Sequence, residues 1–236
     1  MNARQIAEMI DHALLHPTLT EAQLISGIEL AKKYQVASVC IKPYAVPLAA
    51  KLLQDSPVKV CTVIGFPHGN HSSEVKAYET AVAIKEGAEE IDMVVNVGKV
   101  LDEHWGYVKT DIAAVQKVCQ EEGVLLKVIF ENAFLPKDYH KIRLCEICSD
   151  LKVDYVKTST GFGYVKDGGG NITSIGALDA DLILMRKHSA AEVKIKASGG
   201  IRNLEDALRV RELGADRIGA SGTEKIVEEA ISKFGA

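Results

Sequence analysis

Two lysines stand in stretches whose neighbours are mostly apolar or small. They are Lys157, in Asp154-Tyr-Val-Lys-Thr-Ser-Thr160, and Lys196, in Val193-Lys-Ile-Lys-Ala-Ser198. If both stretches are strands, side chains alternate between faces, so Tyr155, Lys157 and Ser159 share one face and Lys194, Lys196 and Ser198 share another. A lysine aimed into a packed interior is costly unless it is paired or used, because burial disfavours the charged form. A neutral amine can attack a carbonyl to form a Schiff base, and a second cation nearby favours that neutral form. Two inward lysines on adjacent strands are therefore expected to depress each other's pKa. The plainer reading is that either lysine faces outward near a strand end, since lysine is almost never fully buried.

Asp92 lies among Ile91, Met93 and Val94. Directed inward, it could pair with a lysine and shuttle protons at the carbon beside the imine; directed outward, it would be a solvated strand-end residue. Asp11, in Met9-Ile-Asp-His-Ala-Leu14, has the same two readings, the second being a helix N-cap. Two glycine segments, Ser198-Gly-Gly-Ile-Arg-Asn203 and Gly219-Ala-Ser-Gly-Thr223, each follow a strand pattern and lead into a helical one. Backbone N–H groups at such turns suit phosphate, Arg202 could add a charged contact, and Asn203 reads as an N-cap. The same glycines could also only make tight turns. His68 and His71 are three residues apart, but a metal would need a third ligand that no fixed spacing supplies. Glu131 ends a strand pattern and could face the cavity or cap it.

The elements that must hold these residues repeat as strand then helix. Nearly continuous apolar runs span 36–42, 59–65, 90–96, 125–131, 154–160, 193–198 and 216–221, as parallel strands buried on both faces require. An eighth fits in 9–14, ahead of a helical pattern over 21–34. Helical patterns over 72–86, 107–122 and 203–213 stop at Gly87, Gly123 and Gly214. Eight such units without a compositional break predict one TIM (β/α)8 barrel over residues 1–236, whose catalytic groups gather at the C-terminal strand ends. A doubly wound sheet is the other option, but no GxGxxG follows the first strand. Residues 161–181 form an unusually long, glycine-rich connection before a helix expected near Leu182.

A net charge of −4 without a basic cluster argues against nucleic-acid or membrane-surface binding. The sequence carries no signal-peptide pattern and no apolar run long enough to span a membrane. Five scattered cysteines read as reduced intracellular thiols, and Cys145-x-x-Cys148 alone specifies neither a zinc site nor a redox site.

Taken together, these segments resemble deoxyribose-phosphate aldolase. The resemblance runs through Ile10-Asp-His-Ala-Leu-Leu15, Val39-Cys-Ile-Lys-Pro43, Thr62-Val-Ile-Gly-Phe-Pro67, Glu90-Ile-Asp-Met-Val-Val-Asn-Val-Gly98, Val156-Lys-Thr-Ser-Thr-Gly-Phe162 and Lys196-Ala-Ser-Gly-Gly-Ile-Arg202, of which the last two are the specific part. It implies that Lys157 forms the Schiff base and that Lys196 tunes it. Asp92 would relay protons with an ordered water, and Asp11 would position the lysines. Gly161, Gly199, Gly200, Arg202, Gly219 and Ser221 would hold the substrate phosphate, with Cys40 near the site. The implied reaction is reversible cleavage of 2-deoxyribose 5-phosphate to acetaldehyde and glyceraldehyde 3-phosphate. It needs no metal or organic cofactor, and a cytoplasmic homodimer is the implied assembly. The extended 161–181 segment, with Asp167-Gly-Gly-Gly-Asn171, departs from the family's shorter link. An aldolase with another acceptor aldehyde, or a silent sugar-phosphate-binding barrel, are the alternatives it leaves open.

Overall fold

In the computed structural model, which describes residues 2–166 and 168–235, the apolar runs close on one another. The barrel strands are β1 (Ile10–Leu14), β2 (Ser38–Ile41), β3 (Lys59–Ile64), β4 (Glu90–Val94), β5 (Leu125–Ile129) and β6 (Tyr155–Lys157). After an antiparallel hairpin of β7 (Tyr164–Lys166) and β8 (Ile172–Ser174) come the last two barrel strands, β9 (Lys194–Ser198) and β10 (Arg217–Ala220). The eight barrel strands are parallel and closed in the order β1-β10-β9-β6-β5-β4-β3-β2. All four residues of β2 and all five of β4 are buried, because one face of each looks into the barrel and the other lies under helices.

The helices are α1 (Ala3–Ala7), α2 (Glu21–Tyr34), α3 (Val46–Leu53), α4 (Ser73–Lys85), α5 (Val97–Leu101), α6 (Trp105–Glu122), α7 (Asp138–Asp150), α8 (Asp179–His188), α9 (Leu204–Glu212) and α10 (Thr223–Phe234). Their ends follow local chemistry. Thr20 and Gln23 form a capping box at the start of α2, satisfying two N–H groups that have no partner within the helix. Gly123, at φ 68°, ends α6 in the left-handed conformation that costs glycine little. None of the helices is long and apolar enough to cross a membrane, among the described residues.

The expected strands are all present but shorter, and β6 keeps only three residues. The connection over 161–181 is not a bare loop. It carries the β7–β8 hairpin, and α8 begins at Asp179, three residues before the expected start at Leu182. Of its Asp167-Gly-Gly-Gly-Asn171 run, Asp167 lies outside the described residues.

Candidate active site

Strand register decides which side chains meet inside the barrel. Lys157 is the direct partner of Lys196, and Lys196 is the partner of Arg217, so β6, β9 and β10 set three basic residues in one row. Asp92 on β4 is the partner of Lys127 on β5. Asp92 Oδ2 accepts a hydrogen bond from Lys157 Nζ at 2.7 Å and from Lys196 Nζ at 2.7 Å, while Asp92 Oδ1 accepts from Lys127 Nζ at 2.9 Å. All four residues are buried. Asp92 therefore faces inward and is not a strand-end residue.

Asp11 also faces inward, from β1, and caps no helix. Its Oδ1 accepts from Ser38 Oγ at 2.7 Å and from Arg217 Nε at 2.9 Å, and its Oδ2 lies 2.5 Å from Lys196 Nζ. Glu90 completes the cluster, with Lys127 Nζ 2.7 Å and Arg217 Nη2 2.9 Å from its Oε2. Four basic groups (Lys127, Lys157, Lys196 and Arg217) thus share the barrel interior with three carboxylates (Asp11, Asp92 and Glu90).

This geometry sets the protonation states. Burial alone would raise the Asp92 carboxyl, but Lys127, Lys157 and Lys196 hold it well below the usual carboxylate range. Asp11 behaves likewise, with burial overridden by Lys196, Lys127 and Arg217. Burial would lower Lys196, yet Asp11 and Asp92 hold it above the ordinary lysine value. The expectation that two facing lysines depress each other's pKa therefore fails for Lys196, where the carboxylates of Asp11 and Asp92, 2.5 and 2.7 Å away, outweigh burial and Lys127. Lys127 is raised in the same way, with Asp92 the leading partner against burial.

Above this cluster lies a cavity of about 360 Å³, bordered by Asp11, Cys40, Lys157 and Lys196 on its inner side. Its rim carries Gly161, Gly199, Gly200, Arg202, Gly219 and Ser221, so one cavity unites every residue expected at a phosphate site with both lysines first singled out. Gly199 and Gly200 have φ of 90° and 80°, a conformation that favours glycine and turns the loop sharply. Asn203 caps α9 by accepting from Asp206 N at 2.8 Å, and the Arg202 N–H donates to Asp206 Oδ2 at 3.0 Å, so the loop enters its helix in a fixed pose. Gly219 has no side chain, which leaves room for Ser198: a Cβ there would fall 2.4 Å from Ser198 Oγ. The segment after the hairpin packs on this rim, where Ala177 N donates to Gly199 O at 3.0 Å.

Glu131 turns inward from the end of β5 in the left-handed conformation, φ 58°. Its carboxylate accepts from Thr160 N at 3.3 Å and from Thr160 Oγ1, and Thr160 Oγ1 accepts in turn from Phe162 N at 2.9 Å. It thus anchors the turn that leads Lys157 into Gly161. Burial pushes its carboxyl up, against the opposing hydrogen bonds of Thr160. His71 lies apart from the cavity beside Glu79, with Nδ1 3.9 Å from Oε2. Cys145 and Cys148 are buried within α7. Lys194 is exposed at the start of β9, its ammonium 5.7 Å from the Tyr155 ring centre.

Sequence reasoning passed over Lys127, Glu90 and Arg217. Lys127 carried the same signal as the other two lysines, a cation inside the apolar run Leu125-Leu-Lys-Val-Ile129. Glu90 and Arg217 stand at strand starts, where a charge ordinarily meets solvent, and nothing local marks them.

A family model described as DeoC/LacD family aldolase matches residues 6–225. A deoxyribose-phosphate aldolase of Rhodopirellula baltica is 50% identical over 230 residues, 98% of this chain and 91% of its own length. One of Clostridium perfringens is 45% identical over 232 residues, 98% of each chain. Among solved structures, the deoxyribose phosphate aldolase of Aeropyrum pernix, described as tetrameric, matches with a TM-score of 0.86 at 29% identity, over 98% of this chain and 93% of that one.

Proposed function

The chain belongs to the DeoC/LacD family of aldolases and is a carbon–carbon lyase of the deoxyribose-phosphate aldolase type, and we propose that Lys157 carries its Schiff base. The observation that carries this assignment is the sharing of one oxygen: Lys157 and Lys196 both reach Asp92 Oδ2 at 2.7 Å. Lys157 stands at the end of β6 on the cavity wall. With Lys157 as the free amine that attack requires, the remaining cations, Lys127, Lys196 and Arg217, match Asp11, Asp92 and Glu90 one for one. The buried cluster then carries no net charge, which spares the cost of an unpaired buried ion.

The reaction follows from this arrangement. The Lys157 amine attacks C1 of the open-chain sugar phosphate, and loss of water gives an iminium. The iminium accepts the electron pair of the C2–C3 bond as the C3 hydroxyl loses its proton, which releases glyceraldehyde 3-phosphate and leaves an enamine. Protonation of the enamine at C2 and hydrolysis of the imine free acetaldehyde and restore Lys157. Asp92 bridges the two amines, so a proton given up at one nitrogen reaches the other through a single carboxylate oxygen, with an ordered water completing the relay. Asp11 and Lys127 hold Lys196 and Asp92 in place from behind. At the other end, the turns at Gly161, Gly199–Gly200 and Gly219–Ser221 offer backbone N–H groups to the phosphate, and Arg202 adds charge. Cys40 sits at the cavity wall without a step of its own.

A cytoplasmic homodimer belongs to the same reading. Five cysteines, all free and buried, suit a reducing compartment. Tyr44, Val75 and Tyr78 are exposed apolar residues around one groove, a surface that a second copy would cover. The catalytic assignment is tested by turnover of 2-deoxyribose 5-phosphate in Lys157→Ala. The variant is expected to keep its circular dichroism and to lose at least about a thousandfold in kcat. Activity close to that of the parent would overturn it.

A further inference from the structure

Cys40 and Cys61 have no role in the steps above, yet they form a thiol pair against the catalytic carboxylate. β2 and β3 make them direct register partners. Adjacent strands run about 4.8 Å apart, within the Cα separation that a disulfide tolerates. Their sulfurs are 3.7 Å apart, with the Cys61 thiol donating toward Cys40. Cys61 Sγ also lies 3.2 Å from Asp92 Oδ1 and accepts from Lys127 Nζ at 3.3 Å. Cys40 borders the cavity beside Lys157 and Lys196, whereas Cys61 is fully buried behind it. The hydrogen bond from Cys61 lowers the Cys40 thiol despite its burial, while burial pushes Cys119 and Cys145 up to about 12. One thiol thus borders the cavity, and a second lies directly behind it in position to resolve it.

We infer that Cys40 and Cys61 are a two-thiol modification site for a small hydroperoxide, closing to a disulfide that switches the enzyme off. The Cys40 thiolate attacks one oxygen of hydrogen peroxide and the O–O bond breaks. Cys40 becomes a sulfenic acid, and the departing hydroxide leaves as water with the thiol's proton. The Cys61 sulfur then attacks the Cys40 sulfur, the S–S bond forms, and the sulfenic hydroxyl departs as a second water with the Cys61 proton. The two sulfurs supply the two electrons that the peroxide takes up. Closure draws the sulfurs from 3.7 Å to about 2.05 Å and pulls the Cys61 sulfur out of its place 3.2 Å from Asp92 Oδ1. Asp92 then no longer holds Lys157 and Lys196 in the same pose. Cys40 lies at the cavity wall but is only 1% exposed, so hydrogen peroxide should act far faster than oxidised glutathione.

The loss of activity rests on the role given to Asp92 above; the bond itself does not. The test treats the intact protein with hydrogen peroxide and follows turnover alongside non-reducing peptide mass spectrometry. The expected result is a peptide joined through Cys40 and Cys61, appearing in step with a fall in activity of about a hundredfold, both reversed by dithiothreitol. Cys61→Ala, scored against its own untreated activity, should show no dithiothreitol-reversible loss. Lys157→Ala should still form the joined peptide, so failure of the Schiff-base assignment would leave this result readable. Absence of the joined peptide, its formation without loss of activity, or reversible inactivation of Cys61→Ala like that of the parent would each overturn the inference. If Cys61→Ala does not fold, the joined peptide and its reversal in the parent protein decide alone.

Discussion

Lys157 and Lys196 are register partners on neighbouring strands, and their amines meet on a single oxygen of Asp92, 2.7 Å from each. The two are not equivalent. Lys196 is also 2.5 Å from Asp11 Oδ2, so two carboxylates grip it, while among the described residues Lys157 makes an ion pair only with Asp92. Two chemically identical side chains thereby stand in different settings, and the proposed division of tasks, a fixed ammonium and a nucleophile, rests on that difference.

Lys127 is expected to act as a support rather than a reagent. It is fully buried and holds Asp92 and Glu90 without bordering the cavity. Lys127→Met should cost about 3–5 kcal/mol of stability, because removing one partner leaves buried carboxylates uncompensated. Urea unfolding measures this directly. A loss below about 1 kcal/mol would place the pair nearer to a solvated surface bridge.

Arg202 is assigned to the phosphate and not to the chemistry. Arg202→Ala should therefore raise KM for 2-deoxyribose 5-phosphate at least about tenfold, the scale of one hydrogen bond to a charged group. Its kcat/KM for unphosphorylated 2-deoxyribose should stay within about twofold. Equal losses on both substrates would remove Arg202 from the phosphate site.

Acid stability should carry the mark of His12. This side chain is buried under α10, with Nδ1 2.8 Å from Thr223 Oγ1, and burial lowers its pKa to about 4 from 6.5. Above the higher value both folded and unfolded states hold it neutral. Between the two, the unfolded state binds the proton more readily, so stability falls as pH drops from 6.5 toward about 4 and then levels. The full swing is about 3 kcal/mol. Urea unfolding at a series of pH values should show this slope, and His12→Asn should flatten it by about that amount, whatever its constant offset. An unchanged slope in the variant would assign the pH dependence to other groups.

Much of this site was legible because charge stands out against an apolar strand. Lys157, Lys196, Asp92 and Asp11 were found for that reason, and the glycine turns because a tight strand-to-helix turn has few sequence solutions. What escaped was relational. Lys127 carried the same signal, but only the register of β4 with β5 assigns it a partner. Glu90 and Arg217 look like ordinary strand-start charges until barrel closure brings β10 and β4 to opposite sides of one interior. The raised pKa of Lys196 depends on carboxylates from β1 and β4, far away in sequence, so a count of nearby cations gave the wrong direction. The β7–β8 hairpin has strands of three residues around a glycine-rich tip, too short for any period to register.

The central claim is an imine on Lys157, and borohydride tests it most directly. The protein is incubated with 2-deoxyribose 5-phosphate, reduced with sodium borohydride, digested and mapped by mass spectrometry. A substrate-dependent secondary amine is expected on Lys157 and none on Lys196 or Lys127. A reduced adduct on Lys196 in place of Lys157, or none on folded protein with acetaldehyde also failing to label it, would rule out Lys157 as the imine lysine.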